Sequence, residues 1–360
     1  MRGSHSARAL RRRGIDADLI ERAPAWSSIG TGIYMPGNGV RALEALGLDA
    51  RLAPAAPIPA QRLLDRRGRC LVDIELDGVW GAVAPCLGMR RIDLHRLLVH
   101  GALGVPIRFG TTVQTLTETR DSVGVVFDDG TSRAYDVVVG ADGLRSSIRR
   151  LVFGDTRPRY VGQVCWRFLV PDTCGVTTWT AMLARDRAWL MMPVGRGGLY
   201  CYADLLSPTP DDGTRGDGAQ LRTLFGDFAE PVPSLFDRMT HAEAVHFAPI
   251  EDVMVDPPCK GRVVLIGDAA HATSPNMAEG ASMALEDAVI LGELLARDGH
   301  PINLLAAFAD RRRARIRWVQ ERTRRRDRIR GLPEFVRNLA LRLAGRAIYR
   351  QDYGPLRDAP

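Results

Sequence analysis

Between Val263 and Ala288 the chain reads VVLIGDAAHATSPNMAEGASMALEDA, and this order of residues limits the fold to few possibilities. Val263 to Ile266 form a continuous apolar run, as in a strand buried on both faces, and Gly267-Asp268 ends it at an acid. A loop with Ser274, Pro275 and Asn276 follows. From Gly280 the apolar residues Met283, Ala284, Ala288, Leu291, Leu294 and Leu295 recur at helical spacing. Strand, glycine turn, loop and helix in this order predict an α/β unit. Ligands of such units sit at strand ends and helix starts, where unpaired N–H groups and the positive dipole end favour phosphate or an anionic ring.

Two other segments repeat the pattern. Asp136 to Gly140 (DVVVG) predicts a buried strand running into D-G-x-x-S-x-x-R, with Asp142, Gly143, Ser146 and Arg149 in place. Nearer the start, Ser6 to Arg13 predicts the tail of a helix, Gly14 its C-cap, and Ile15 to Glu21 a strand ending in an acid followed by Arg22. In a dinucleotide-binding βαβ unit, an acid at that place binds the adenosine ribose hydroxyls. The strand and G-x-G-x-x-G that complete such a unit would stand before Ser6, where only Met1 to His5 are found, and MRGSH is similar to an expression tag. Gly37-Asn38-Gly39-Val40-Arg41-Ala42 has G-x-G-x-x-A spacing but follows Pro36. It is read as opening a helix, Val40 to Leu46, capped by Gly47, with Arg41 exposed. Met89 to Leu98 (MRRIDLHRLL) predicts a helix start, with Arg90 and Arg91 at its head.

The strand-end motifs, in this order, resemble those of the FAD-dependent aromatic hydroxylases, the para-hydroxybenzoate hydroxylase-like flavoprotein monooxygenases, from Ser6 to about Phe308. The resemblance implies a mixed α/β (α+β) chain: a Rossmann-like FAD-binding domain, N-terminally incomplete, an antiparallel-sheet substrate domain and C-terminal helices. The expected bounds are residues 1–52, 88–160 and 248–300 for the first, 53–87 and 161–247 for the second, and 301–360 for the helical region. By the same resemblance Glu21 and Arg22 lie at the adenosine, and Arg91, with Arg90 as the near alternative, points its guanidinium toward the flavin chain. Asp142 belongs to contacts linked to FAD and the nicotinamide. Asp268 binds the ribityl chain, and the backbone at Pro275, Gly280 and Ala281 approaches the pyrimidine side of the isoalloxazine. The family often has Gln before that glycine; Glu279 here adds a possible negative charge. The implied activity is FAD-dependent monooxygenation, with NAD(P)H as reductant and O2 delivered through a flavin C4a-hydroperoxide to an aromatic or polyketide-like small molecule. The cofactor carries the oxygen chemistry, so no particular catalytic side chain is assigned. A flavin-dependent halogenase fits less well, since W-x-W-x-I-P is missing. A degenerate, non-catalytic flavoprotein paralogue is the alternative if the first strand and phosphate loop are absent by nature. Because the chain as written lacks that strand and loop, weak FAD affinity or poor folding is expected of it in either case.

The remaining segments fill in this outline. Ala53 to Ala60 is read as a connector, and Leu63 to Asp65 and Cys70 to Ile74 as two strands around a turn. Val123 to Phe127 and Ser132 to Tyr135 predict a hairpin about Asp128-Asp129-Gly130. From Gln163 to Leu205, short aromatic-rich strands predict the antiparallel sheet. Trp166, Trp179, Trp189, Met191, Met192, Tyr200 and Tyr202 are candidates to line a pocket, about half of them facing away. A polar loop, Pro208 to Gly218, precedes two helical segments and a strand, His246 to Ile250, that returns toward the cofactor domain. His241 and His246 are given no chemistry, and His271 is read as structural or solvent-facing. Arg311 to Arg330 contains 11 arginines and is read as a solvated helix packed through Ile316 and Val319, ahead of an anionic partner surface. Leu332 to Ile348 predicts a last helix, with the tail beyond Tyr349 on the surface. The formal charge is +7, yet 48 of the 49 basic residues are Arg and only Lys260 is Lys. That composition points to coding bias rather than to nucleic acid, and no aromatic interleaving of an RNA-binding kind accompanies it. Cys70, Cys86, Cys165, Cys174, Cys201 and Cys259 lack metal or disulfide spacing. No apolar run reaches the roughly 18 residues of a membrane span, and cytoplasmic location is expected. The sequence carries no sign of oligomeric state.

Overall fold

The computed structural model describes residues 3–26, 31–210, 218–239 and 245–360. His241, and residues 211–217 of the polar loop, lie outside them. The helices are α1 (Ser4–Arg11), α2 (Gly37–Ala45), α3 (Asp77–Trp80), α4 (Arg91–Gly101), α5 (Ser147–Phe153), α6 (Gly218–Phe225), α7 (Val232–Arg238), α8 (Asp268–His271), α9 (Gly280–Leu295), α10 (Pro301–Arg330) and α11 (Glu334–Tyr353).

The two strand-end motifs lie side by side. Val138–Gly140 and Val263–Leu265 pair in parallel, so the Asp142 and Asp268 turns leave the same end of one sheet. Leu19–Glu21 pairs in parallel with Ile107–Phe109. Only the last three residues of the predicted Ile15 to Glu21 strand join this ladder, because the partner begins after Pro106, which has no N–H to give. Val113–Glu118, Val123–Phe127 and Ser132–Tyr135 form the expected meander, with Gly130 at φ 78° in its turn. The Ala53 to Ala60 connector contains a strand: Ala55–Pro57 flanks Leu87–Arg90, which also pairs with Gly32–Met35. Pro57 is tolerated there because the strand is an edge. The helix expected from Met89 starts at Arg91, after an extended Arg90.

The large sheet has seven strands in the order His246–Asp252, Arg159–Val170, Gly198–Leu206, Arg187–Val194, Trp179–Leu183, Ala60–Asp65 and Cys70–Glu75. It is antiparallel except at one seam, where Trp179–Leu183 runs parallel to Ala60–Asp65. There an earlier hairpin has been added to the edge. His246–Asp252 stays in this sheet as its other edge strand. Strand alternation sorts the aromatics as expected. Trp166, Trp189 and Met191 pack on one face against Phe225 and Phe236 of α6 and α7. Trp179, Met192, Tyr200 and Tyr202 turn to the other face, toward α9 and α11.

α10 corrects in part the reading of a solvated arginine face: Arg311, Arg317, Arg324, Arg325 and Arg328 are exposed. Ile316 and Val319 are buried as expected, but so are Arg312 and Arg330. The anionic partner surface is internal: Arg312 meets Asp287, Arg324 meets Asp252, Arg326 meets Asp352 and Arg330 meets Asp204. The tail is surface only in part. Tyr349, Tyr353 and Leu356 are core residues, because Tyr349 Oη accepts from Trp80 Nε1 at 3.0 Å and Arg41 donates to the backbone oxygens of Leu356, Arg357 and Asp358. Arg41 is thus spent on the C-terminus.

Candidate functional site

Gly267 sits where the strand ends, at φ 58°, in the left-handed region that glycine adopts freely. A Cβ there would lie 2.9 Å from Ala284 Cβ, so α9 packs directly on the turn. The turn is then pinned from behind. Asp287 Oδ2 accepts from Gly267 N at 2.8 Å and lies 2.6 Å from His271 Nε2, while Oδ1 accepts from Arg312 Nε at 2.8 Å. His271 is therefore structural. Burial alone would raise the Asp287 carboxyl, but the His271 ring, the Arg312 guanidinium and the Gly267 N–H hold it well below the usual carboxylate range. This fixed turn is what presents Asp268.

At the head of α9 the balance is opposite. Glu279 and Asn38 are fully buried, and Asn38 Nδ2 donates to Glu279 Oε2 at 2.9 Å and to Glu286 Oε1 at 3.1 Å. Glu286 is answered by Arg312 and Arg315; Glu279 is not paired with any cation among the described residues. Burial pushes the Glu279 carboxyl up to about 8, so at neutral pH it is mainly the uncharged acid. The possible negative charge beside the site is thereby largely suppressed. The side chain then resembles the glutamine it replaces. The first turn of this 16-residue helix has no side-chain cap. Its leading N–H groups remain available.

These elements enclose a cavity of about 690 Å³. Arg91, Gly267, Asp268, Pro275, Gly280 and Ala281 line one side of it. Gln61, Leu63, Trp179, Met192, Tyr200 and Tyr202 of the large sheet line another. Gly32 lets the two meet, since a Cβ there would stand 2.2 Å from the Tyr200 ring. Arg167 opens into the same space, opposite Tyr202 and His246 in register, with its guanidinium 5.8 Å from the Tyr202 ring centroid. It makes no ion pair among the described residues. Burial pushes the Tyr200 phenol up to about 12, leaving it an O–H donor.

Of the eight residues expected at a cofactor, five (Arg91, Asp268, Pro275, Gly280 and Ala281) therefore converge on the cavity. Glu21, Arg22 and Asp142 are not among its lining. Glu21 ends its strand and its Oε1 accepts from Ala23 N at 3.0 Å; Arg22 is exposed. Asp142 organises the start of α5, accepting from Ser147 N, Ser147 Oγ, Ile148 N and Ser146 Oγ. Arg149 of the same motif is buried on the carbonyls of Leu144, Thr156 and Ala269. Sequence reasoning missed Arg167. Its signal was a lone charge inside the apolar run VCWRFLV. The wall supplied by α11, including Leu341, Ile348 and Tyr349, had no such signal.

The sequence matches the FAD binding domain family over residues 1–323. A 2-heptyl-3-hydroxy-4(1H)-quinolone synthase of Pseudomonas aeruginosa is 31% identical over 323 residues, covering 88% of this chain and 84% of that protein. A 3-amino-4-hydroxybenzoate 2-monooxygenase of Streptomyces cremeus is 34% identical over 336 residues, covering 89% and 82%. Among solved structures, Klebsiella pneumoniae HpxO complexed with FAD and uric acid superposes with a TM-score of 0.89 at 27% identity, covering 99% of this chain and 94% of that one.

Proposed function

Because the chain belongs to the FAD-dependent aromatic hydroxylase family and is an FAD-dependent monooxygenase, we propose that it uses NAD(P)H and O2 to hydroxylate a planar aromatic or polyketide-like small molecule. The supporting observation is the convergence, in one cavity, of Arg91, Asp268 and the open head of α9 with an apolar, aromatic sheet face.

The residues present fit FAD. An uncapped helix start, a guanidinium and a carboxylate are the donor and acceptor set that an anionic ring, a pyrophosphate and a polyol require. FAD held there would supply the redox and oxygen chemistry, with NAD(P)H as the reductant. Asp268 would accept from the ribityl hydroxyls, Arg91 would hold the anionic chain, and the backbone at Pro275, Gly280 and Ala281 would face the pyrimidine side. Glu21 and Arg22 would serve the adenosine, and Asp142 would act through the helix start that it organises. On the sheet, Leu63, Trp179 and Met192 exclude water around the substrate. Tyr200 can donate to a substrate oxygen, and Arg167 would hold an anionic or electron-rich one.

The test is reconstitution with FAD, followed by NADH and NADPH oxidation and incorporation of labelled O2 across an aromatic panel. The quinolone and aminohydroxybenzoate substrates in the two relatives' names supply its first members. Substrate-stimulated oxidation with labelled product is expected. Flavin binding with no such stimulation would favour the degenerate, non-catalytic reading.

A further inference from the structure

We propose that the outward face of α11 docks on an anionic lipid surface. Ten large apolar side chains are exposed among the described residues, and half of them fall between Leu332 and Leu343. Phe335, Leu339 and Leu343, 76, 56 and 79% exposed, follow a four-residue step along one side of the helix. Arg342, Arg346 and Arg350 take the same step and, at about 100° per residue, fall between the apolar positions around the axis. All three are exposed, and Arg342 and Arg350 make no ion pair among the described residues. The only acids of α11 are Glu334, at its head, and Asp352, which is buried.

Interleaved cations and large apolar groups suit a bilayer interface, where headgroups answer the arginines and the acyl boundary takes the rings and leucines. A second copy of the chain suits it less. A two-fold contact would set the arginine row against itself with no acid on the face to answer it. No described helix is long and apolar enough to cross a membrane, so the contact is peripheral. The inner side of α11, with Leu341 and Ile348, lines the cavity, as does Leu332 ahead of the helix. One helix thickness, about 10 Å, therefore separates that cavity from the docking face. Docking does not depend on the monooxygenase reading.

The test is co-sedimentation of the whole chain with vesicles of phosphatidylcholine alone and of phosphatidylcholine mixed with phosphatidylglycerol. Binding is expected to the mixed vesicles only, weakening as salt is added. Phe335→Ser with Leu343→Ser should lower partitioning about tenfold or more. Arg342→Gln and Arg350→Gln should each lower it about fivefold. These side chains do not line the cavity, and unchanged thermal melting would confirm that the variants fold. Folded protein that ignores phosphatidylglycerol, or variants that bind as well as the parent, would overturn the proposal. So would sedimentation velocity showing a dimer that Phe335→Ser with Leu343→Ser dissociates, which would assign the face to a second copy.

Discussion

Glu279 and Asp287 stand at the head and in the middle of α9, equally deprived of water, and their carboxyls move in opposite directions. Glu279 has one neutral donor, Asn38, and burial keeps its proton on. Asp287 has a histidine, a guanidinium and a backbone N–H, and keeps its charge. Burial sets the stakes and partners decide the outcome. The head of α9, next to the cavity, is held without a net charge, whereas its middle is a fully compensated ionic joint. Groups rich in partners should therefore govern stability. Groups poor in partners should make stability depend on pH or be left free for a ligand.

The largest expected effect attacks the joint. Asp287→Ala leaves Arg312 Nε, the Gly267 N–H and His271 Nε2 without their shared acceptor in the interior, Arg312 keeping only the Glu286 carboxylate, and should cost about 3–5 kcal/mol in urea or thermal unfolding; a loss below about 1 kcal/mol would break the comparison. Glu279→Gln should do the reverse. The folded state holds a proton that the unfolded chain releases above its ordinary value of 4.5, and gives it up only near 8. The Glu279 contribution to stability therefore falls as pH rises through that window and is flat above it. Glutamine has no proton to lose, so its advantage should grow across the same window to an order of a few kcal/mol. A melting-temperature difference that does not change with pH would count against a buried neutral acid. On the ligand side, Arg167→Gln should raise KM for an anionic substrate roughly tenfold or more while sparing a neutral isostere. Equal losses for both would make Arg167 structural. The smallest effect is Arg41→Ala, which frees the C-terminal carbonyls and should cost about 1 kcal/mol in the same melts.

Much of the α9 side of the cavity was legible because it is local. Val263 to Ala288 writes strand, turn, loop and helix in order, and Gly267, Asp268 and Gly280 stand where that order needs them. The D-G-x-x-S-x-x-R segment was legible as a turn, but the Asp142 carboxylate is largely occupied in starting α5. What the sequence could not reveal is long-range pairing. Nothing near Arg312 announces Asp287, and nothing near Arg41 announces Leu356. An arginine-rich helix with acids 25 or more residues away looks the same as a solvated one until the chain is folded. Alternation did sort Trp189 from Met192 in principle, because one register decides both, but only pairing with Ala203 and Tyr200 fixes which face is which.

α10 also bears on the order in which the protein is made. Asp204, Asp252, Glu286 and Asp287 all precede it in the chain, and their cations at Arg330, Arg324, Arg315 and Arg312 come later. During synthesis from the N-terminus Asp204 and Glu286 emerge before the cations they pair with, while Asp252 and Asp287 emerge with only Arg159 and His271 already made. The carboxylate that pins the turn presenting Asp268 therefore gains its guanidinium only after Arg312 has cleared the exit tunnel.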